Sequence, residues 1–227
     1  MERMNRRIAA LVLCLALLVS LSALCEDRYP LDNVRMLRSF GFEVDDDTLA
    51  SIERELNTTI ADMDFTTLLL LIGMGNYDYS TGEWAPYSHQ VYAYDEEVFD
   101  IAHMYTLFLR GIDSIVPDIE ITDITEDLSG MTEEMIYPRS FLQSIFSRPT
   151  DGKRSVSFVC NGNEYGVELT SYGDWINEKI TDYMDMVLAE ENCTKELWLI
   201  RAYVQYVIVV YCDRETAVEL AKYVKMY

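Results

Sequence analysis

Residues 155–170, SVSFVCNGNEYGVELT, decide the fold class. Apolar and polar residues alternate in both halves of this stretch, as they do in half-buried β-strands. Between the halves, Asn161-Gly162 is a dipeptide that two-residue hairpin turns favour, because both positions must adopt positive φ. The sequence therefore predicts a β-hairpin with strands over 155–160 and 164–170.

The chain after this hairpin is predicted to contain a helix, two strands and a last helix. Asp174 and Asp213 stand where N-caps are expected, and apolar residues follow each of them at helical spacing. Strands are predicted over 197–200 and 205–212. The C-terminal part thus has the order ββαββα, and its buried residues are expected to include Phe158, Trp175, Ile180, Ile208 and Val210.

The residues before the hairpin are mainly helical in pattern. The run Asp45–Asp47 is predicted to supply the N-cap of one amphipathic helix. Asp64 is predicted to cap another helix, 65–74, which is apolar on all sides and should lie in the core. Asp95 is predicted to cap a further helix, whose apolar residues start at Val98. We therefore predict an α+β fold, in which an N-terminal helical segment precedes a mostly antiparallel sheet.

Residues 1–25 carry the pattern of a secretory signal peptide. Three arginines precede Ile8–Leu24, which has 17 residues and no charge, and acidic sequence follows from Glu26. Cleavage after Cys25 predicts a secreted or envelope-associated protein. Two alternatives stay open, lipid attachment at Cys25 and an uncleaved anchor, and either would hold the protein at a membrane.

Three segments follow from this pattern: a signal peptide at 1–25, a mainly helical acidic region at 26–150, and the ββαββα region at 151–227. The last two can form one compact domain. Residues 55–138 hold 17 acidic residues and one basic residue, Arg110, which gives a net charge of −16. A field of this sign repels phosphate backbones, so nucleic acid is not expected as a partner.

Cysteine usage points to neither a disulfide framework nor a zinc site. Cys160, Cys193 and Cys212 remain after cleavage, an odd number, and one pair between Cys160 and Cys212 is possible. The chain has no CxxC motif and no Cys/His cluster. We therefore expect no metal and no cofactor.

The segment 77–94 is the best candidate for a binding surface. It contains six Tyr and Trp residues in 18 positions, interleaved with polar residues. Aromatic faces with polar tips suit the recognition of proteins and sugars, although the same residues also pack small cores. The candidate ligand-binding residues are Tyr79, Trp84, Tyr92 and Asp95, and the expected partner is a protein or a glycan. If this surface binds a partner, Trp84 and Tyr92 should be partly exposed and close to each other.

The sequence contains no known catalytic motif that would fix an activity. Two functions are therefore compatible with these observations. The first is an exported, non-enzymatic binding or envelope-associated protein. The second is a secreted hydrolase that uses paired carboxylates near Asp95 and Glu97. A hydrolase should show a cleft with convergent acids and a raised pKa, whereas a binding module should show an aromatic surface with solvated carboxylates.

Overall fold

The computed structural model describes residues 33–78, 83–98, 100–132, 152–171 and 173–226. The predicted signal peptide, its cleavage site and Cys25 lie outside these residues. Within the described ranges, no helix combines the length and the hydropathy that a membrane crossing requires.

Three helices come first in the described chain, and antiparallel strands with further helices follow, which confirms the α+β class. The helices are α1 Asn33–Ser39, α2 Asp46–Leu56, α3 Phe65–Met74, α4 Met104–Ile115, α5 Lys179–Glu190 and α6 Arg214–Leu220. The strands are β1 Asn76–Asp78, β2 Glu83–Ala85, β3 Val91–Asp95, β4 Ile121–Gly130, β5 Gly152–Cys160, β6 Asn163–Ser171, β7 Glu196–Ala202 and β8 Tyr206–Cys212. The predicted C-terminal order, ββαββα, is confirmed by β5, β6, α5, β7, β8 and α6.

The strands form three antiparallel sheets with the orders β1-β2, β3-β8-β7 and β4-β5-β6. The two C-terminal strand pairs therefore belong to different sheets. Strand β3 pairs with β8, and β4 pairs with β5, so the acidic region and the ββαββα region share both larger sheets. The Asn161-Gly162 hairpin is confirmed, since both residues have positive φ between β5 and β6.

Strand β8 is the centre of the molecule. Its sequence, YVIVVYC, has no polar alternation because both of its faces are covered. Val207 and Val209 face one apolar cluster, and Ile208 and Val210 face the other.

The two clusters define the layers of the fold. One cluster lies between the β3-β8-β7 sheet and the β4-β5-β6 sheet and contains the apolar faces of α4 and α5. The other lies on the opposite face of the β3-β8-β7 sheet and is covered by α1, α2, α3 and α6. Helices thus cover both faces of the central sheet.

Three predicted N-caps are confirmed. The carboxylates of Asp45, Asp64 and Asp213 each accept a hydrogen bond from the backbone N–H three residues later, at 2.6, 2.9 and 2.8 Å. Each satisfies an amide that the helix itself leaves without a partner. Helix α3 is buried at most of its positions, as its apolar sequence predicts.

The helix predicted to begin at Asp95 begins at Met104 instead. Strand β3 runs through Asp95, and residues 96–98 then pair with a distant segment. Val98 N–H donates to Asp174 O at 2.7 Å, and Ile176 N–H donates to Glu96 O at 2.9 Å. This pairing holds the backbone extended, so the acidic residues after Asp95 do not share a helical face.

The same pairing explains two wrong predictions around Asp174. The helix there begins at Lys179, after Glu178, because Trp175 forms a β-bridge with Glu97. Trp175 is 39% exposed rather than buried. The other four residues expected in the core are buried, namely Phe158, Ile180, Ile208 and Val210.

The possible disulfide between Cys160 and Cys212 is not formed, and all three described cysteines are free. Cys160 ends β5 and Cys212 ends β8, and these strands belong to different sheets. The two side chains lie in different apolar clusters, which explains why they do not meet.

Candidate functional site

A groove of about 1150 Å³ runs between β2, β3 and α4. The predicted site residues Trp84, Tyr92, Asp95 and Glu97 all line it. Tyr79 lies outside the described residues. The groove also contains residues from the following helix, which the sequence did not associate with the site, including Leu107, Phe108 and Arg110.

Tyr92 forms the floor of the groove and is only 8% exposed. Its ring centroid lies 5.9 Å from that of Tyr94 and 6.4 Å from that of Phe108. Gly111 of α4 lies directly against this ring, because a Cβ at that position would come within 2.2 Å of Tyr92 Cζ. Tyr92 was expected to be partly exposed as a recognition residue; it is a packing residue instead.

Trp84 forms one wall. Its ring lies edge-on to Tyr92 with the centroids 5.7 Å apart, so the two predicted aromatic residues do lie together. The indole Nε1–H donates to Met74 O at 2.7 Å, at the C-terminal end of α3. Gly75 permits this approach, since a Cβ there would lie 2.7 Å from Trp84 Nε1. Trp84 therefore attaches the β1-β2 hairpin to the core while part of its ring stays accessible.

Asp95 is held by the fold on both of its carboxylate oxygens. Oδ1 accepts from the Glu97 N–H at 2.9 Å, and Oδ2 accepts from Gln205 Nε2 at 3.0 Å. Burial raises the pKa of Asp95, and these hydrogen bonds oppose that effect. The Asp95 carboxylate thus fixes the backbone conformation between the end of β3 and the β-bridge at Glu97.

Glu97 differs from both of its acidic neighbours. Glu96 is buried, and its Oε2 lies 3.1 Å from Arg201 Nη1. Glu97 is half-buried in the groove, and in the described part of the chain no donor or base contacts its carboxylate. Burial raises the pKa of Glu97, and the negative charges of Asp174 and Asp95 raise it further.

The rim joins an apolar surface to charged side chains. Leu107 is 48% exposed and adds apolar surface to that of the half-buried Trp84 in the same groove. Asp100 contacts His103 Nδ1 at 3.1 Å, and Arg110 is the one basic side chain among the described lining residues. The groove is therefore acidic and partly apolar.

A metal centre is not supported by the described residues. Among them, no group of three or more His, Cys, Asp or Glu side chains is placed to hold a metal ion. The groove acids are Asp95, Glu97 and Asp100, and the carboxylate oxygens of the first are already occupied by hydrogen bonds.

The lining residues from α4 could not be identified from the sequence as part of the site. Leu107 and Arg110 show an ordinary amphipathic helix pattern, and only the packing of Gly111 on Tyr92 places them beside β3. The available signal was that Leu107 lies off the predicted apolar face of this helix, three residues before Arg110, the one basic residue in 55–138.

Comparison with known proteins does not extend this description: no family model, no curated protein and no solved structure matches the chain.

Proposed function

We propose that this protein is exported and non-enzymatic, and that it binds a protein or glycan partner in the groove between β2, β3 and α4. The observation that carries the proposal is the juxtaposition of accessible apolar surface from Trp84 and Leu107 with the unpaired carboxylate of Glu97. A concave apolar surface with a few polar groups is the usual form of a binding site. A half-buried carboxylate with no described cation in contact is available to pair with a positively charged group of a ligand.

The hydrogen bonds of Asp95 support binding over hydrolysis. Hydrolysis by two carboxylates requires one group to carry or accept a proton and the other to act as base or nucleophile. Both oxygens of Asp95 are engaged by Glu97 N–H and Gln205, which leaves Glu97 without a free acidic partner on that side.

The second candidate function is a secreted hydrolase that uses Asp95 and Glu97. The observation that favours it is that burial raises the pKa of both side chains within one groove. Perturbed carboxyl groups in a cleft are typical of catalytic sites, although ordinary packing perturbs them as well.

The binding experiment uses the full chain, expressed with its own N-terminus and recovered after secretion. It is applied to an array of immobilised peptides and to an array of polysaccharide fragments. Leu107→Ser should weaken binding to any specific ligand at least tenfold. The matched control is Val218→Ser on α6, which is 58% exposed and distant in sequence from the groove, and it should bind normally.

Two results would overturn the proposal. One is a specific ligand whose binding is unchanged in both Leu107→Ser and Glu97→Gln. The other is release of cleaved products from an array, abolished by Glu97→Gln, which would establish the hydrolase instead.

Export is tested separately by fractionation of a secreting bacterium. The expected result is a soluble product outside the cytoplasm with an N-terminus near Glu26. An intact Met1 on soluble cytoplasmic protein would contradict export, and a diacylglycerol mass on Cys25 would identify a lipoprotein.

A further inference from the structure

The central sheet has two edges, and the direction of the backbone groups at each can be derived from its register. Tyr211 N–H donates to Gln90 O at 2.9 Å, and Glu96 N–H donates to Gln205 O at 2.7 Å. In an antiparallel pair, alternate residues face the partner strand. Since residues 90 and 96 face β8, the N–H and C=O groups of Ala93 and Asp95 face away from it.

The edge formed by β7 is closed by the protein itself. Leu197 N–H faces away from β8 and donates to Asp185 Oδ1 at 3.1 Å. Further along the same edge, Ile200 forms a β-bridge with Met226. A carboxylate and a short bridge thus occupy the groups that an edge strand exposes. Protein structures commonly cover edges in this way to prevent unwanted strand pairing.

In the described ranges, neither a hydrogen bond nor a bridge closes the edge formed by β3. Packing against Gly73 of α3 leaves Ala93 7% exposed, and this remaining surface faces the groove. β3 pairs only with β8, and no described residue donates to or accepts from the outward backbone groups of Ala93 and Asp95. Both residues line the groove. Just beyond Asp95, the outward N–H of Glu97 donates to Asp95 Oδ1, so the open edge is short and has a defined end.

The charges around this edge select the occupant. Asp95, Glu97 and Asp100 line the groove with a single described base, Arg110, and Asp174 adds negative charge next to Glu97. The apolar wall at Trp84 and Leu107 lies in the same groove. An extended segment that alternates basic and apolar side chains would match both features, because alternate side chains of a strand face opposite sides.

We propose that the open edge of β3 accepts an extended basic peptide as an added antiparallel or parallel strand. This inference rests on the proposed function and specifies its partner and its mode of binding. Backbone hydrogen bonds to Ala93 and Asp95 supply a sequence-independent contribution, and the acidic groove supplies the preference for Lys and Arg.

The test uses four synthetic eight-residue peptides with the full-length protein. The first alternates Lys and Val, and the second alternates Glu and Val. The third and fourth are Lys-Val peptides with N-methyl groups on alternate amides, one for each edge of the peptide strand. The expected result is binding of the Lys-Val peptide, no binding of the Glu-Val peptide, and at least a tenfold loss with one N-methylated version only.

Amide hydrogen exchange locates the contact. On addition of the Lys-Val peptide, exchange of the Ala93 and Asp95 amides should slow at least tenfold, whereas the Leu197 amide, already bonded to Asp185, should not change. Glu97→Lys should abolish binding, and Lys195→Glu, a charge reversal beyond the other edge of the sheet, should not.

The outcomes separate the two proposals. Equal binding of both N-methylated versions, or unchanged exchange at Ala93 and Asp95, overturns strand addition while Leu107→Ser still reports on groove binding. Binding of polysaccharide fragments alone, sensitive to Leu107→Ser, overturns the peptide inference and retains the proposed function. A peptide that binds equally to Glu97→Lys, Leu107→Ser and the unaltered protein contradicts both.

Discussion

Two acidic residues near helix α4, Glu126 and Glu97, differ in what balances their charge. The Glu126 side chain is 3% exposed, and its Oε2 accepts from the fully buried Arg154 at 2.8 Å. Glu97 faces the groove with no described cation in contact. One chain therefore contains a compensated carboxylate and an uncompensated one.

Glu126 does more than balance a charge. Its Oε1 accepts from Thr106 N–H at 2.7 Å and from Thr106 Oγ1 at 2.9 Å. His103, at the N-cap position of α4, makes no side-chain capping bond, so a residue of β4 supplies the cap. The Arg154 guanidinium also lies 5.3 Å from the Tyr105 ring centroid. Glu126 thus connects α4 to the β4-β5-β6 sheet through hydrogen bonds. The Glu97 carboxylate makes no such connection among the described residues.

The largest expected effect comes from breaking the compensated site. Glu126→Ala leaves the Arg154 charge buried without a partner and removes the cap of α4. We expect a loss of about 3–5 kcal/mol in the free energy of unfolding, measured by urea denaturation. The same change at Glu97 should cost less than about 1 kcal/mol.

An equal loss in both variants would contradict the contrast between the sites. Glu126→Gln is the informative intermediate, because it keeps an acceptor for Thr106 but removes the negative charge opposite Arg154. The loss in the free energy of unfolding for Glu126→Gln should lie between the losses for Glu126→Ala and Glu97→Ala.

The sequence predicted best those features that local chemistry determines. Asp45, Asp64 and Asp213 are caps that act within three residues, and Asn161-Gly162 forms a turn by itself. The ββαββα order followed from periodicity alone. These are interactions between near neighbours, which a single sequence displays directly.

The failures occurred where distant segments meet. Glu97 pairs with Trp175, and this contact between residues far apart in sequence replaced a predicted helix start and exposed a tryptophan expected in the core. The groove shows both cases. Trp84, Tyr92 and Asp95, which were predicted as ligand-binding residues from one short segment, line the same groove, whereas Leu107 joins them only through the packing of α4.

A second prediction concerns the packing that places α4 beside the groove. Gly111→Ala would normally stabilise a helix, since alanine has the higher helix propensity. Here the added Cβ would lie 2.2 Å from Tyr92 Cζ, so the helix or the ring must move. We expect a net loss of about 1–3 kcal/mol and weaker ligand binding. Gly166→Ala is the control, because its Cβ would meet nothing closer than 3.7 Å.

Asp185 is a further carboxylate that no cation of the described residues contacts. Burial raises the pKa of Asp185 to about 6, and the charges of Glu196 and Asp182 add to this. The ionised form therefore costs stability above pH 6, and the cost disappears as the pH falls toward the ordinary value of 3.8.

Asp185→Asn should accordingly raise the free energy of unfolding at pH 7.5 by about 1 kcal/mol, after allowance for solvent screening of a half-buried group. The amide oxygen can still accept from Leu197 N–H. Chemical denaturation at pH 7.5 and pH 4 measures the effect, and a gain that persists unchanged at pH 4 would show that charge is not its cause.

The smallest effect is expected at Glu97 itself. Its pKa is raised by burial and then by Asp174 and Asp95, so the ionised form is disfavoured in the folded protein. Glu97→Gln removes that charge and should change the free energy of unfolding at pH 7.5 by no more than about 0.5 kcal/mol, in the stabilising direction. The difference should vanish below the ordinary pKa of 4.5, where the carboxyl is protonated in both states. Exposed Glu120 provides the control, with no change expected for Glu120→Gln. A loss above about 1 kcal/mol would show that Glu97 stabilises the fold as Glu126 does, and the distinction between the two sites would then fail.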